Sequence, residues 1–240
     1  MNRDNGVAGW TYFDRIFCIS LRDRADRRSQ ARSQFTRLGI ASRVDYMLVD
    51  RHPTDSEQGI YESHLRCLRQ GLEAGARRML IFEDDVTFDG FDPRAFNQAV
   101  AFLERHPEWM LLFLGCLVKG SRATESAAIR AIDYRCLAHA YAIHGPCARQ
   151  VVEKPWRNLP FDVMLRGLDA TSYAVCPMFA FQNDAATDND RHRFLDRIRR
   201  CCGGLRRIQK VNEWYHRHRW LVVALHVAVL GLAFLVWLIV

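Results

Sequence analysis

Hydrophobic residues fall in short runs separated by amphipathic stretches. Residues 15–21, RIFCISL, carry β-branched and aromatic side chains, and charged RDRADRR follows directly, so a strand is expected to pass into a helix. That helix is predicted over Asp23 to Leu38, with Ala31, Phe35 and Leu38 on one face and Gly39 as its stop. Val44 to Val49 reads as a second strand, ended by Asp50, His52 and Pro53. Ile60, Leu65, Leu68 and Leu72 place a helix over 56–71, closed by Gly75. Met79 to Phe82 is a buried strand that runs straight into Glu83, Asp84 and Asp85. A helix over 93–104 and a strand over 109–114, ending at Gly115, come next. Gly120 to Asp133 is a polar excursion, expected to be a loop over the site. A strand over 139–143, a short helix from Gly145-Pro146 to Val152, a segment opened by Pro160-Phe161-Asp162 and a last strand at 173–175 complete the pattern. Alternating strands and helices predict an α/β domain with a mostly parallel sheet.

The pattern changes character near the C-terminal end. Trp220 to Val240 contains no charged residue, and as a helix it would be roughly 32 Å long, close to the ~30 Å of a bilayer's hydrocarbon core. A transmembrane helix is therefore expected over 220–240. Residues 1–190 carry 24 Lys plus Arg and 25 Asp plus Glu, a net of −1, whereas 191–219 hold 10 cations against Asp196 and Glu213. The overall charge of +7 thus belongs to a flank. Three parts are expected: a domain at 1–190, a basic juxtamembrane linker at 191–219, and the span. Cations before the span and none after it predict a cytoplasmic domain on a single-pass anchor, as in a bacterial inner membrane, and the N-terminal residues lack a signal-peptide pattern. A balanced domain excludes a nucleic-acid-binding face. Cys18, Cys67, Cys116, Cys136, Cys147 and Cys176 are scattered singly and read as reduced, buried thiols.

Three successive carboxylates at the carboxyl end of an apolar strand repel one another unless a cation compensates. Ligands of open α/β sheets bind beyond such strand ends, and carboxylate oxygens suit Mn²⁺ or Mg²⁺. The alternatives are a turn-capping acid with solvated neighbours, or a phosphorylation receiver, whose paired acids would lie nearer the domain's start. Arg22, Arg24, Arg27 and Arg28 cluster where a helix N-terminus could receive a diphosphate, although several would serve equally as solvated helix-face residues.

These residues together resemble glycosyltransferase family 25. The resemblance rests on Ile19, Leu21, Arg27 and Arg28, on Gly59 with Ser63-His64, on LIFEDDV at 80–86, on Ala140 to Ile143, on Pro160-Phe161-Asp162, and on Pro177 with Gln182. It covers roughly residues 15–185, and departs at Ser20, where the family often has Asn, and at 60–62. It implies a GT-A-type, Rossmann-like fold and a metal-dependent transfer, with inversion, of a hexose, most commonly galactose, from a UDP-sugar. The acceptor would be a lipid-linked or other glycan, as in lipopolysaccharide biosynthesis. Carried over by position, Asp84 and Asp85 are the metal ligands. Arg22, Arg27, Arg28, Ser63, Glu83 and Asp84 bind the donor, and Asp162 and His64 are catalytic, Asp162 as base. His64 would serve equally as a helix residue bonded to a neighbouring loop, and a third metal ligand is sought in 183–192, with His192 as one candidate. The alternative function is a catalytically silent, membrane-anchored module that binds a nucleotide or a partner.

Overall fold

A computed structural model describes residues 8–183 and 204–239. The elements run β1 (Arg15–Leu21), α1 (Ala25–Arg37), β2 (Val44–Val49), α2 (Ser56–Glu73), β3 (Arg78–Glu83), β4 (Val86–Phe88), α3 (Pro93–Arg105) and β5 (Leu111–Phe113). There follow β6 (Leu117–Ala123), β7 (Ile129–Cys136), β8 (Ala140–His144), α4 (Gly145–Val152), α5 (Phe161–Arg166), β9 (Ser172–Val175), β10 (Ala180–Gln182) and α6 (Gly204–Ile239). Eight strands form one sheet in the order β2-β1-β3-β8-β5-β9-β7-β6, and β10 pairs with β4 in a second, two-stranded sheet.

The α/β architecture is as expected, and six of the eight strands point the same way. Because β8 runs against β3 and β5, and β7 against β9 and β6, four of the seven pairings are nevertheless antiparallel. Alternation along the strands sorts side chains to two faces. Leu80, Phe82, Ala140 and Ala142 join Phe35 of α1 and Phe96, Phe102 and Leu103 of α3. Met79, Ile81, Tyr141 and Ile143 join Leu65 and Leu68 of α2, Val151 of α4 and Phe161 of α5. Each large apolar side chain buried in this way contributes about 1.5–3 kcal/mol. Helix starts follow local chemistry: the Asp55 carboxylate accepts from the N–H of Glu57 and Gln58 ahead of α2, and Asp92 caps α3 with Pro93 behind it. Gly39, expected to stop α1, sits at φ 74.

Two sequence expectations need correction. The stretch 120–133, expected as a loop, is mostly the β6–β7 hairpin at one end of the sheet. Its polar residues are tolerated there because a terminal hairpin can leave one face in water while Val118 and Tyr134 point inward. The membrane span expected over 220–240 is not supported: among the described residues no helix is long and apolar enough to cross a membrane. The side chains of 232, 233 and 235–240 lie outside the described ones. The helix that enters this stretch begins at Gly204, and its first turns are polar and bound to the domain.

That docking uses residues expected to be a linker. The Asn212 side-chain amide donates to the Val118 carbonyl at 3.0 Å and accepts from the Val118 N–H at 2.9 Å. Glu213 accepts from the N–H of Met178 at 2.9 Å, and Lys210 and Arg206 both pair with Asp89. Buried Gln209 donates to the Ala180 carbonyl at 2.9 Å. The helix departs from regular geometry at His218, and Trp220, Leu221, Leu225 and Leu230 beyond it are exposed.

Gly115 lies where α6, β10 and the main sheet converge, and a Cβ there would overlap the Ala180 carbonyl and come within 2.9 Å of Gln209 Nε2. Backbone cannot yield as a side-chain tip can. Gly115→Ala should therefore destabilise the fold by about 3 kcal/mol or more in chemical denaturation; an unchanged midpoint would show that this close approach does not exist.

Candidate active site

The candidate site is built where β1 and β3, parallel neighbours, end together, with Ile19 opposite Glu83. The three acids that follow do not behave alike. Asp84 turns inward: Ser20 Oγ donates to its Oδ2 at 2.6 Å, and Arg27 Nη1 approaches its Oδ1 at 3.4 Å. Both partners of this ion pair are buried, at 9% and 8% side-chain exposure. Burial raises the Asp84 pKa, and the Ser20 hydroxyl and Arg27 charge oppose the rise. Arg28 Nη1 donates to the Leu21 carbonyl at 2.5 Å and reaches Ser20 Oγ at 3.4 Å, stiffening the turn out of β1.

Asp85 and Glu83 are compensated less: the Arg27 charge acts on both, but burial outweighs it. Burial, then the neighbouring Glu83 charge, pushes the Asp85 carboxyl up to about 8, and its buried Oδ1 has no hydrogen-bond partner. Its main-chain carbonyl accepts from the Asn183 N–H at 2.8 Å, which brings the end of the β10 segment over the site. Glu83 also rises to about 8, through burial first and then the charges of Asp162 and Asp84.

His64, on the inner face of α2, is fully buried, with its ring stacked on Phe161 at 4.1 Å and 5°. Burial lowers its pKa to about 4, so the ring is neutral at physiological pH. The Tyr141 hydroxyl lies 3.1 Å from Nδ1, and Nε2 faces Glu83 Oε1 at 3.5 Å. A neutral ring that accepts from Tyr141 on Nδ1 carries its proton on Nε2, toward Glu83. His64 thus stands between Tyr141 and Glu83. Asp162 opens α5 with both oxygens engaged, Oδ1 by the Tyr134 hydroxyl and Oδ2 by the Leu137 N–H, each at 2.8 Å.

The structure thus brings together Glu83, Asp84, Asp85, His64, Asp162 and Arg27. It leaves other candidates at the margin. Ser63 donates to the Gly59 carbonyl one turn earlier, at 2.6 Å, and Arg22 lies on the surface beside Asp50. Among the described residues no group of three or more His, Cys, Asp and Glu could hold a metal ion. The third ligand sought in 183–192, His192 included, falls almost wholly outside them. Sequence reasoning did not single out Tyr134, Tyr141 and Phe161, which orient Asp162 and His64. Tyr141 and Phe161 stand within segments of the resemblance, but their roles depend on pairings across 77 and 97 positions that no local pattern reports.

No family model matches the chain. It is similar to the "Probable inactive glycosyltransferase 25 family member 3" of Rattus norvegicus, 26% identical over 187 residues, covering 64% of this chain and 32% of that protein. The "Inactive glycosyltransferase 25 family member 3" of Mus musculus is likewise 26% identical, covering 64% and 31%. The resemblance to family 25 therefore stands, and the chain spans about a third of the length of the curated relatives it matches. Among solved structures, A197 from STIV matches with TM-score 0.43 and 14% identity, over 70% of this chain and 85% of that one. A glycosyltransferase involved in glycosylation of the major capsid of PBCV-1 matches with TM-score 0.38 and 12% identity, over 62% and 72%.

A carboxyl whose pKa rises on folding favours the fold in its protonated form. The contribution of Asp85 is therefore complete below about pH 4 and is lost as pH climbs toward 8. Asp85→Asn removes that loss, so its stability relative to the parent should increase between pH 5 and pH 8, by about 1–3 kcal/mol after allowance for solvent screening. A pH-independent difference in thermal melts would exclude a raised Asp85.

Proposed function

We propose that the chain transfers a hexose, galactose in the first instance, from a UDP-sugar to a hydroxyl of a glycan acceptor, with inversion and with the help of Mn²⁺ or Mg²⁺. The observation that carries this reading is Asp85: a carboxylate without a hydrogen-bond partner on Oδ1, at the carboxyl end of a sheet strand, beside a second acid with a raised pKa. Such an oxygen fits a hard cation, and Mg²⁺-type sites commonly use one or two carboxylates completed by substrate phosphates. Asp85 would hold the ion, with Glu83 near it, while Asp84 is turned toward Ser20 and Arg27. When bound, the ion neutralises charge developing on the departing diphosphate.

The remaining chemistry falls to the chain's own residues. The acceptor oxygen forms its bond to the anomeric carbon as the bond from that carbon to the diphosphate oxygen breaks, and the hydroxyl proton passes to Asp162. Hydrogen bonds from Tyr134 and Leu137 orient Asp162 and still leave lone pairs on both oxygens. Glu83, beside His64, would accept from the sugar hydroxyls. A diphosphate would be received by Arg28 at the turn out of β1, with Arg22, which lies on the surface beside Asp50, turning toward it on binding.

A second reading, a catalytically silent nucleotide- or partner-binding module, is favoured by the names of the two mammalian relatives, both of which say inactive. Turnover of UDP-galactose and other UDP-sugars, measured with and without Mn²⁺, separates the two. The transferase reading expects metal-dependent release of UDP, reduced on the order of a hundredfold by Asp85→Ala. Binding of UDP without turnover of any sugar nucleotide would establish the silent module.

We also propose that the chain works at the cytoplasmic surface of a membrane, where a lipid-linked acceptor would be concentrated. Arg217, Arg219 and the exposed apolar side chains from Trp220 onward support this. In sealed vesicles, protease should reach the domain from the cytoplasmic side only, and protection there would overturn the placement.

A further inference from the structure

A cleft of about 1000 Å³ lies between α2 and residues 152–156, and none of the acid-cluster residues lines it. Its two walls are joined by direct contacts. The Tyr61 hydroxyl donates to the Lys154 carbonyl at 2.9 Å, and the Arg69 guanidinium donates to the Val152 carbonyl at 3.1 Å. The half-buried Trp156 ring packs on Tyr61 at 5.3 Å and contributes to the lining. Walls joined in this way spare a ligand part of the entropy of ordering them.

The lining identifies the class of ligand. Glu62, Glu73 and Glu153 balance Arg66, Arg69 and Lys154, so the cleft has no excess of cations with which to hold a phosphate chain or nucleic acid. It offers carboxylates that accept, guanidinium and ammonium groups that donate, and an indole for an apolar face. A pyranose ring has matching parts: hydroxyls that both donate and accept at its rim, and C–H groups on its face.

We propose that this cleft binds a neutral saccharide unit of the acceptor, remote from the hydroxyl that reacts; the inference rests on the glycosyl-transfer reading above. Binding energy from a remote part of a substrate can be used to position its reacting end. The two places are mechanically joined. Tyr61 also contacts Phe161 at 5.9 Å, Phe161 stacks on His64, and α2 carries both Tyr61 and His64.

The test applies the full chain to a printed array of neutral and anionic oligosaccharides. The parent protein should retain a class of neutral oligosaccharides, with at least tenfold weaker binding in Trp156→Ala. Trp156→Ala disturbs the packing on Tyr61, so a second variant, Arg66→Ala with Glu73→Gln on the exposed helix face, provides an independent reading and should weaken the same ligands severalfold. No retained saccharide, retention of anionic glycans alone, or binding unchanged in both variants overturns the proposal. UDP-galactose hydrolysis without acceptor, measured on the same preparations, should be equal in the parent and in the Arg66→Ala, Glu73→Gln variant, whose substitutions lie on the exposed helix face away from the Tyr61–Phe161–His64 contacts. Hydrolysis without glycan binding removes the cleft proposal alone; glycan binding without hydrolysis of any UDP-sugar removes the transferase reading and leaves the saccharide site in place.

Discussion

The buried pair between Arg27 and Asp84, with the Ser20 hydroxyl completing it, is the interaction that makes the rest of the site admissible. Three consecutive carboxylates at one strand end would otherwise repel in a poorly solvated crevice, and a buried charge without its partner costs several kcal/mol. Arg27 comes from the first turn of α1, so the helix is fixed to the strand end by the same contact that disposes of one acid. The consequence is a division of labour along three adjacent residues. Asp84 is engaged by Ser20 and Arg27, whereas burial and neighbouring carboxylate charges raise the pKa of Glu83 and Asp85 to about 8.

The sheet then determines what surrounds those acids. The inner surface of α2 supplies His64, whose neutral ring spans from Tyr141 to Glu83, and α5 supplies Asp162 from the same face. Two of the polar side chains nearest the acids are thus held by tyrosines, Tyr141 and Tyr134, from strands β8 and β7. The strands that run against the others bring those tyrosines to the crevice. A sheet with every strand parallel would need longer crossovers to place them there.

Much of this was legible in the chain. The apolar runs at 15–21, 44–49 and 79–82 fall within or match observed strands, and the helix at 145–152 agrees at both ends, because period and punctuation are local signals. The acid triplet and its place at a strand end were legible for the same reason. The split among the three acids was not, since Ser20 and Asp84 are 64 positions apart and only the parallel pairing of β1 and β3 brings them together. Nor was the hairpin at 117–136, whose polar outer face imitates a loop. The basic flank misled for a different reason: Arg206 and Lys210 look like solvated cations until Asp89 is placed opposite them, and Gln209 and Asn212 carry no hydrophobic signal of docking.

Asn212 touches Val118 through both its amide oxygen and its amide nitrogen, as a neighbouring strand would. Part of the outermost strand of the sheet is thereby closed by a side chain from a helix. A fragment ended at residue 190 on the evidence of charge alone would leave that strand with open donors and acceptors, a template on which another chain could add. Closure of that strand edge is therefore a property of residues that look, in the sequence, like a spacer.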